Sequence, residues 1–156
     1  MSSFLTTAPS RPATETPIVS SPFWPAVDPV DIRDDQRIDN SITPARLKAA
    51  LIEAIASTNS ALAAWRIAQQ AAGIETLAAV ACETIDETSI HVHRYRRAVG
   101  CLAKALLLER YRDFDTTGKG DKKAEQLTDP IDDCRRDHLA AIADIAGQPR
   151  TTVELI

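Results

Sequence analysis

The sequence predicts an all-α protein: a small bundle of two long helices, one short helix and a C-terminal helix, with an extended arm at each end. Apolar residues recur at helical spacing in long, proline-free stretches. A capping residue followed by proline is typical of a helix start. It occurs as Thr43 with Pro44 and as Asp129 with Pro130. The 156 residues suffice for one compact domain.

Composition divides the chain into four parts: a disordered arm (1–22), an extended apolar docking segment (23–42), the helical domain (43–147) and a C-terminal tail (148–156). The arm is rich in Ser, Thr and Pro and poor in large apolar residues. The docking segment contains Phe23 and Trp24, and three prolines at positions 22, 25 and 29 disfavour a regular helix there. We expect this segment to lie against an apolar surface, either the core of its own domain or a neighbouring protein.

The helices are predicted from their caps and apolar stripes. The first covers residues 43–72 and ends at Gly73, the second runs from about residue 89 to 113, a short third covers 122–127, and the last runs from 129 to 147. A connector with one short turn joins the first two. The stripes predict these buried faces: Leu47, Leu51, Ala54, Thr58, Leu62 and Trp65, then Tyr95, Val99, Leu102 and Leu106, then Ile131, Cys134, Ile142 and Ile145.

The charge is mildly acidic overall but uneven along the chain. Lys and Arg number 18 against 22 Asp and Glu, which gives a formal net charge of -4. This balance argues against a general nucleic-acid-binding protein, which carries a basic face. Residues 94–123 nevertheless hold nine Arg or Lys and four Asp or Glu, a local +5. This segment is either a solvated helix face or a surface for an acidic partner.

Three cysteines without a CxxC pair predict a reducing compartment and no disulfide framework or zinc site. The N-terminal residues lack the apolar stretch of a signal peptide and the Arg-rich pattern of a transit peptide. No run of 18 apolar residues predicts a membrane span. We expect the protein to be made in the cytosol.

A loop after the second long helix partly matches the calcium-binding loop of an EF-hand. Positions one, three, five, six and nine of that loop are occupied by Asp113, Asp115, Thr117, Gly118 and Asp121. Position twelve, where a glutamate binds calcium with both oxygens, is Ala124, and Glu125 comes one residue late. A calcium- or ligand-sensing helical module that uses residues 113–125 is therefore the alternative function.

Catalytic patterns are missing from the sequence. His91 and His93 lie two residues apart, which places them on opposite sides of a helix. Cys134 and His138 are one helical turn apart, but no third group orients them. We expect no enzyme activity, no catalytic residue, no metal site and no cofactor.

Several stretches, taken in order, resemble the head completion (gpL-type) proteins of tailed bacteriophages. They are PARLKAALIEAIASTN with AAWR after it, YRRAV, LLLERYRDFDTTGKGDKKAEQL, IDDCRRDHLAAIADIAGQPR and the ending VELI. The resemblance covers about residues 30–156, and the block from ERYR to GDKKA is its most specific part.

The resemblance implies a helical connector, or adaptor, subunit of the virion. Such a subunit binds the portal ring at the head vertex after DNA packaging, stabilises the filled head and forms the platform for tail attachment. By analogy with related connectors, about twelve copies form a ring, and DNA passes through it without sequence-specific binding. The implied partners are the portal protein ring, neighbouring copies, and tail or tail-terminator proteins, with no membrane.

Within this resemblance, three groups of residues are candidates for contact with a neighbouring copy or the portal: Phe23 and Trp24; Glu109, Arg110, Tyr111, Arg112, Asp121, Lys122 and Lys123; and Val153, Leu155 and Ile156. The second group has an alternative role, which is to cap the second long helix and brace the loop after it. We expect a monomer in solution, because no long heptad seam supports self-association without a template.

Overall fold

The computed structural model describes the backbone of residues 15–114 and 121–149, and the side chains of residues 15–110 and 130–149. The described part contains five α-helices and a two-stranded hairpin, which confirms the predicted all-α class. The elements are α1 (Pro29–Asp35), α2 (Pro44–Ala61), α3 (Ala63–Ala71), a 3₁₀ turn (Leu77–Ala79), β1 (Thr84–Ile85), β2 (Thr88–Ser89), α4 (Ile90–Phe114) and α5 (Asp121–Ala146).

Helix α4 lies at the centre of the bundle. Helices α1, α2 and α5 all pack on it. Helix α5 runs antiparallel to α4, because Asp144 lies beside Arg94 whereas His138 lies beside Ala98, further along α4. The residues between 15 and 42, here called the N-terminal layer, cover another side of α4 and contact α2 and α3.

Helix α1 lies inside the segment for which the prolines predicted no regular helix, and that prediction was wrong. Pro29 occupies the first turn, where its missing N–H is harmless, and the Asp28 carboxylate accepts a hydrogen bond from the Val30 N–H at 2.8 Å. Ile32 on this helix packs against Gly100 of α4, where an added Cβ would lie 3.3 Å from the Ile32 Cδ1. The missing side chain lets α1 approach α4 closely.

The predicted first helix begins at Thr43 and Pro44, as expected, but it is divided at Leu62. The Thr43 hydroxyl accepts a hydrogen bond from the Arg46 N–H at 3.4 Å. Near the other end the buried Thr58 hydroxyl donates to the Ala54 carbonyl at 2.7 Å, a bond that tends to bend helices. The chain turns at the buried Leu62 and continues as α3. Gly73, at φ 85°, follows the end of α3, as predicted.

The connector between the first two predicted helices has more structure than one turn. After the 3₁₀ turn, β1 and β2 pair antiparallel, with Thr84 opposite Ser89 and Ile85 opposite Thr88. The two turn residues Asp86 and Glu87 both adopt positive φ, 51° and 56°. Primed hairpin turns need this geometry, which usually selects Gly or Asn, so the sequence carried little signal for the hairpin.

The predicted short third helix and last helix form one continuous helix, α5, so the predicted start at Asp129 and Pro130 was wrong. Pro130 lies inside α5, where it removes one backbone hydrogen bond without ending the helix. Helix α5 stays unbroken because its packing along α4 stabilises it, and a break at Pro130 would lose part of that packing. The predicted stop is correct, because α5 ends at Ala146 and Gly147 follows at φ 66°.

The core lies between α4, α2 and the N-terminal layer. Most predicted stripe residues are buried in it, including Leu47, Leu51, Leu62, Tyr95 and Val99, each at 0% exposure. Trp65 and Ile142 are partly buried and pack against its edge. The division of the chain into four parts stays a prediction, since much of both terminal parts lies outside the described residues.

Candidate assembly surface

Phe23 and Trp24, which were predicted to contact a partner, lie in the centre of the protein's own core. Phe23 and Trp24 are 2% and 4% exposed. Trp24 stacks on Tyr95 of α4, with ring centroids 5.0 Å apart and planes 9° apart. Phe23 meets Trp24 edge-on at 4.9 Å and Trp65 at 6.2 Å. In this conformation neither ring is accessible to another chain, and their predicted contact role stays a prediction.

Tyr95 links this aromatic cluster to α2. Its hydroxyl donates a hydrogen bond to the Asn59 side-chain carbonyl at 2.8 Å. Burial raises the pKa of Tyr95 to about 12, so the hydroxyl keeps its proton. The cluster is therefore a fixed anchor for the N-terminal layer.

Arg33 holds the beginning of the N-terminal layer in place. Its guanidinium donates to the Glu15 carboxylate at 2.5 Å and to the backbone carbonyls of Asp39 and Ile42 at 3.1 and 3.2 Å. The two side chains of the ion pair are only 8% and 4% exposed. Sequence reasoning did not single out Arg33, because an arginine in an acidic stretch carries no signal for burial.

The basic face predicted along α4 is partly neutralised within the chain. Arg97 lies 3.1 Å from the Asp137 carboxylate, and Arg94 lies 3.8 Å from the Asp144 carboxylate, both on α5. These two arginines thus pair with carboxylates of a helix of the same chain, and the interpretation of the basic segment as a surface for an acidic partner stays a prediction.

Of the ERYR block, Glu109 and Arg110 have described side chains. The Glu109 carboxylate accepts two hydrogen bonds from Arg135, at 2.9 and 2.6 Å, which tie α4 to α5. The predicted contact role of the block and its alternative role of capping the helix and bracing the loop both stay predictions. Arg110 is exposed. The other predicted contact residues lie outside the described side chains or outside the described residues altogether: Tyr111, Arg112, Asp121, Lys122, Lys123, Val153, Leu155 and Ile156.

The interface of α4 and α5 also contains a buried histidine. His138 is 8% exposed, and its Nδ1 lies 2.9 Å from the Ala98 carbonyl oxygen, a geometry in which the ring N–H donates. Burial lowers the pKa of His138, although this hydrogen bond acts in the opposite direction. The residue is therefore a packed, hydrogen-bonded part of the interface.

The surface of the described residues includes an apolar groove and an acidic groove. The first, of about 190 Å³, has an apolar floor of Ile38, Ile42, Leu107 and Leu108 and a charged rim; Arg37, Asp39, Ser41 and Lys104 complete the lining. The second, of about 340 Å³, is lined mainly by acidic residues of and before α1: Val27, Asp28, Asp31, Ile32, Asp34, Asp35 and Arg96. The first combines apolar surface with cations, a composition suited to an apolar, acidic peptide segment.

Several large apolar side chains are also exposed at separate positions on the surface of the bundle. Ile52 on α2, Ile67 on α3 and Leu139 on α5 are 51%, 60% and 63% exposed. Helix α3 has no buried residue at all. Single exposed apolar residues are common on monomers, so each alone identifies no interface.

Metal and membrane chemistry find no support in the described residues. Within the ranges given above, no group of three or more His, Cys, Asp or Glu side chains could hold a metal ion. The predicted calcium loop at 113–125 lies outside the described side chains, so that alternative stays a prediction. Among the described helices, none is long and apolar enough to cross a membrane.

Comparison with known proteins identifies the family. Residues 18–156 match the family of phage head completion proteins (GPL). The chain belongs to this family. The head completion/stabilization protein of Escherichia phage P2 is 41% identical over 147 residues, which cover 94% of this chain and 87% of that protein. The resemblance stated from the sequence is thus confirmed.

Family membership makes this chain a structural head completion protein and a component of the phage head. The family is a structural one and not a family of enzymes. No solved structure matches the chain.

Proposed function

We propose that this head completion protein is a connector subunit. It binds the portal vertex after DNA packaging, stabilises the filled head and forms the platform on which the tail attaches. The observation that carries the proposal is the family match over residues 18–156, which includes every described helix. Its place is the vertex of the virion, and it is made in the host cytoplasm.

The described surface suits a subunit with several neighbours. Exposed apolar side chains lie on three different helices, at Ile52, Ile67 and Leu139. A subunit of a closed ring needs two different flanks, one for each neighbour, and further faces toward the portal and the tail. About twelve copies around the DNA channel would satisfy this arrangement, with tail or tail-terminator proteins on the far side.

DNA passes through the ring without sequence-specific binding. The charge pattern supports this, because Arg94 and Arg97 of α4 are engaged by carboxylates of α5. A strong non-specific DNA-binding surface needs several cations free to contact phosphates. The overall charge of -4 also argues against strong non-specific binding of DNA.

Among the proposed contact residues, Arg110 is exposed at the described end of α4 and is available to a neighbour or the portal. Phe23 and Trp24 would become available only if the N-terminal layer left the core. We therefore propose that the first contact forms near the C-terminal end of α4. Glu109 is held there by a hydrogen bond from Arg135.

The test is to mix the purified protein with the portal ring of the same phage and image the product by electron cryo-microscopy. The expected result is added density that follows the portal symmetry. Arg110→Glu should reduce occupancy, whereas Arg136→Glu, a matched change on the exposed face of α5, should not. Absence of added density on both the isolated portal and DNA-filled heads would refute the connector role.

A further inference from the structure

We propose that the apolar groove beside α4 receives residues 153–156 of a neighbouring copy. The groove is formed by Ile38 and Ile42, between α1 and α2, and by Leu107 and Leu108 of α4. The proposal rests on the proposed connector function and names the surface that joins one copy to the next.

The groove matches the chemistry of the tail. Its floor is aliphatic, and its volume of about 190 Å³ corresponds to one or two aliphatic side chains. The tail sequence VELI supplies Val153, Leu155 and Ile156 for such a floor. Burial of such side chains in the floor would stabilise the contact, against the entropic cost of ordering the tail.

The charges at the rim complement the acidic residue of the tail. Arg37 and Lys104 lie on the rim and carry positive charge. The rim also contains Asp39, whose carboxylate accepts the Ser41 backbone N–H at 2.7 Å, a bond that lowers its pKa. Glu154 lies between Val153 and Leu155 in the sequence, so it would stay at the rim while its neighbours enter the floor.

Chain length favours the tail of another copy over the protein's own tail. The last turn of α5 lies beside Arg94, where the guanidinium donates to the Asp144 carbonyl. The groove begins at Lys104, ten residues further along α4, which is about 15 Å at a rise of roughly 1.5 Å per residue. From Pro149 to Val153 an extended chain spans at most about 14 Å. Val153 therefore stops short of the groove of its own chain. Leu155, at most about 22 Å from Pro149, would reach the floor at Leu107, about 20 Å beyond Arg94 along α4, only with the whole tail fully extended, which favours the tail of a neighbour.

A contact of this kind is head-to-tail, because groove and tail are different surfaces of one subunit. Each copy gives its tail to one neighbour and receives the tail of the other, so the contact closes only in a ring or continues as a filament. A small groove also explains why free copies are expected to stay monomeric. The portal template would bring tail and groove to a high effective concentration.

The experiment is disulfide trapping in assembled particles, with Cys82→Ser in every variant because Cys82 is exposed. The test chain carries Leu108→Cys with Leu155→Cys, and a second test chain carries Ser41→Cys with Leu155→Cys. Ser41 is an exposed residue of the groove lining, so this second pair remains informative if Leu108→Cys disturbs folding. The control carries Ile85→Cys with Leu155→Cys, since Ile85 is 50% exposed and lies on β1 outside the groove.

After oxidation, both test chains should give a ladder of covalent multimers on a non-reducing gel, and the control should stay monomeric. Exchanging the charges of Lys104 and Glu154 gives a second test of the same contact. Lys104→Glu and Glu154→Lys should each reduce the ladder by roughly fivefold, and their combination should restore it.

The failure of this inference is distinguishable from failure of the connector function. If the variants enter particles normally but give an internal link, no link, or a link to a different protein, the docking inference is overturned and the connector function stands. If the unmodified protein does not enter particles at the portal vertex, the connector function itself is wrong.

Discussion

The N-terminal layer and helix α5 are both held against α4, but by different kinds of contact. The layer is anchored by large aromatic rings, with Trp24 stacked on Tyr95 at 5.0 Å. Helix α5 is attached through small and aliphatic side chains, such as Ala141 and Ile145, together with ion pairs at the edges. One interface concentrates its stabilisation in a few side chains, and the other distributes it along two long helices.

The ion pairs of the two regions differ in the same way. Arg33 and Glu15 are 8% and 4% exposed, whereas Arg97 and Asp137 are 50% and 46% exposed. Loss of one partner of a buried ion pair leaves an unpaired buried charge and lowers the stability of the protein, whereas an exposed pair contributes little to that stability. Single substitutions should therefore damage the N-terminal layer far more than the α4–α5 interface.

The largest effect is expected for Trp24→Ala. Removing this ring leaves a cavity against Tyr95, which should lower the free energy of unfolding by about 3–5 kcal/mol. Urea denaturation measures the change, with Ile67→Ala as the control at a 60% exposed site, where the expected change is within about 0.5 kcal/mol. Equal midpoints for the two variants would show that the aromatic cluster is not an anchor.

Arg33→Met comes next, with an expected loss of about 3 kcal/mol in the free energy of unfolding. The change leaves the Glu15 carboxylate buried without its cation, and two backbone carbonyls lose a donor. Adding Glu15→Leu should recover part of the loss, because an apolar pair can replace a buried ion pair. A double variant less stable than Arg33→Met would contradict the buried pair.

The junction of the layer with α4 is tested at Gly100. Gly100→Leu should destabilise the protein by about 1–3 kcal/mol, because its side chain would collide with Ile32 and the Gln36 side chain, already 3.2 Å from an ideal Cβ. Gly100→Ala is the matched control. It adds one methyl but gains helix propensity, so its change in denaturation midpoint should be small. If both variants are equally stable, α1 does not approach α4 as closely as described.

The pattern of a capping residue followed by proline marks a helix start at some positions of this chain and not at others. A capping residue followed by proline starts α2 at Thr43, starts α1 at Asp28 where three nearby prolines obscured it, and fails to start a helix at Asp129. The local signal is the same in each case. Packing on α4 decides whether the chain breaks there, and that packing is a long-range property.

The assembly surface was less predictable than the fold. Composition showed that Phe23 and Trp24 need an apolar surface, but it could not tell the core of the same chain from that of a neighbour. Likewise, the basic run of α4 could not reveal that Asp137 and Asp144 lie opposite it, because the pairing depends on the register of two helices. The family resemblance, by contrast, rested on several ordered stretches and was confirmed over residues 18–156.

A smaller effect is expected from pH, through His138 in the α4–α5 interface. Burial lowers its pKa in the folded state below the ordinary value of 6.5, and the charge of Arg135 adds to this lowering. The unfolded chain therefore binds a proton first as pH falls, so stability should be full above about pH 6.5 and decline below it. Burial also lowers the pKa of His91, which adds to the decline.

His138→Gln separates the two histidines. The amide can still donate to the Ala98 carbonyl but does not titrate, so the loss of stability between about pH 7 and pH 5.5 should be smaller than in the unmodified protein. Denaturation curves across that range measure the slope. Identical slopes would mean that His138 is not buried in the folded protein.

The smallest effect belongs to the exposed pair of Arg97 and Asp137. Arg97→Gln, Asp137→Asn and the double variant form a cycle whose coupling free energy should be about 0.2–1 kcal/mol and should shrink in high salt. A coupling as large as the loss expected for Arg33 would remove the contrast between the two regions. It would mean that charge, and not only distributed apolar packing, holds α5 in place. That result would also leave fewer cations on α4 for contact with another subunit.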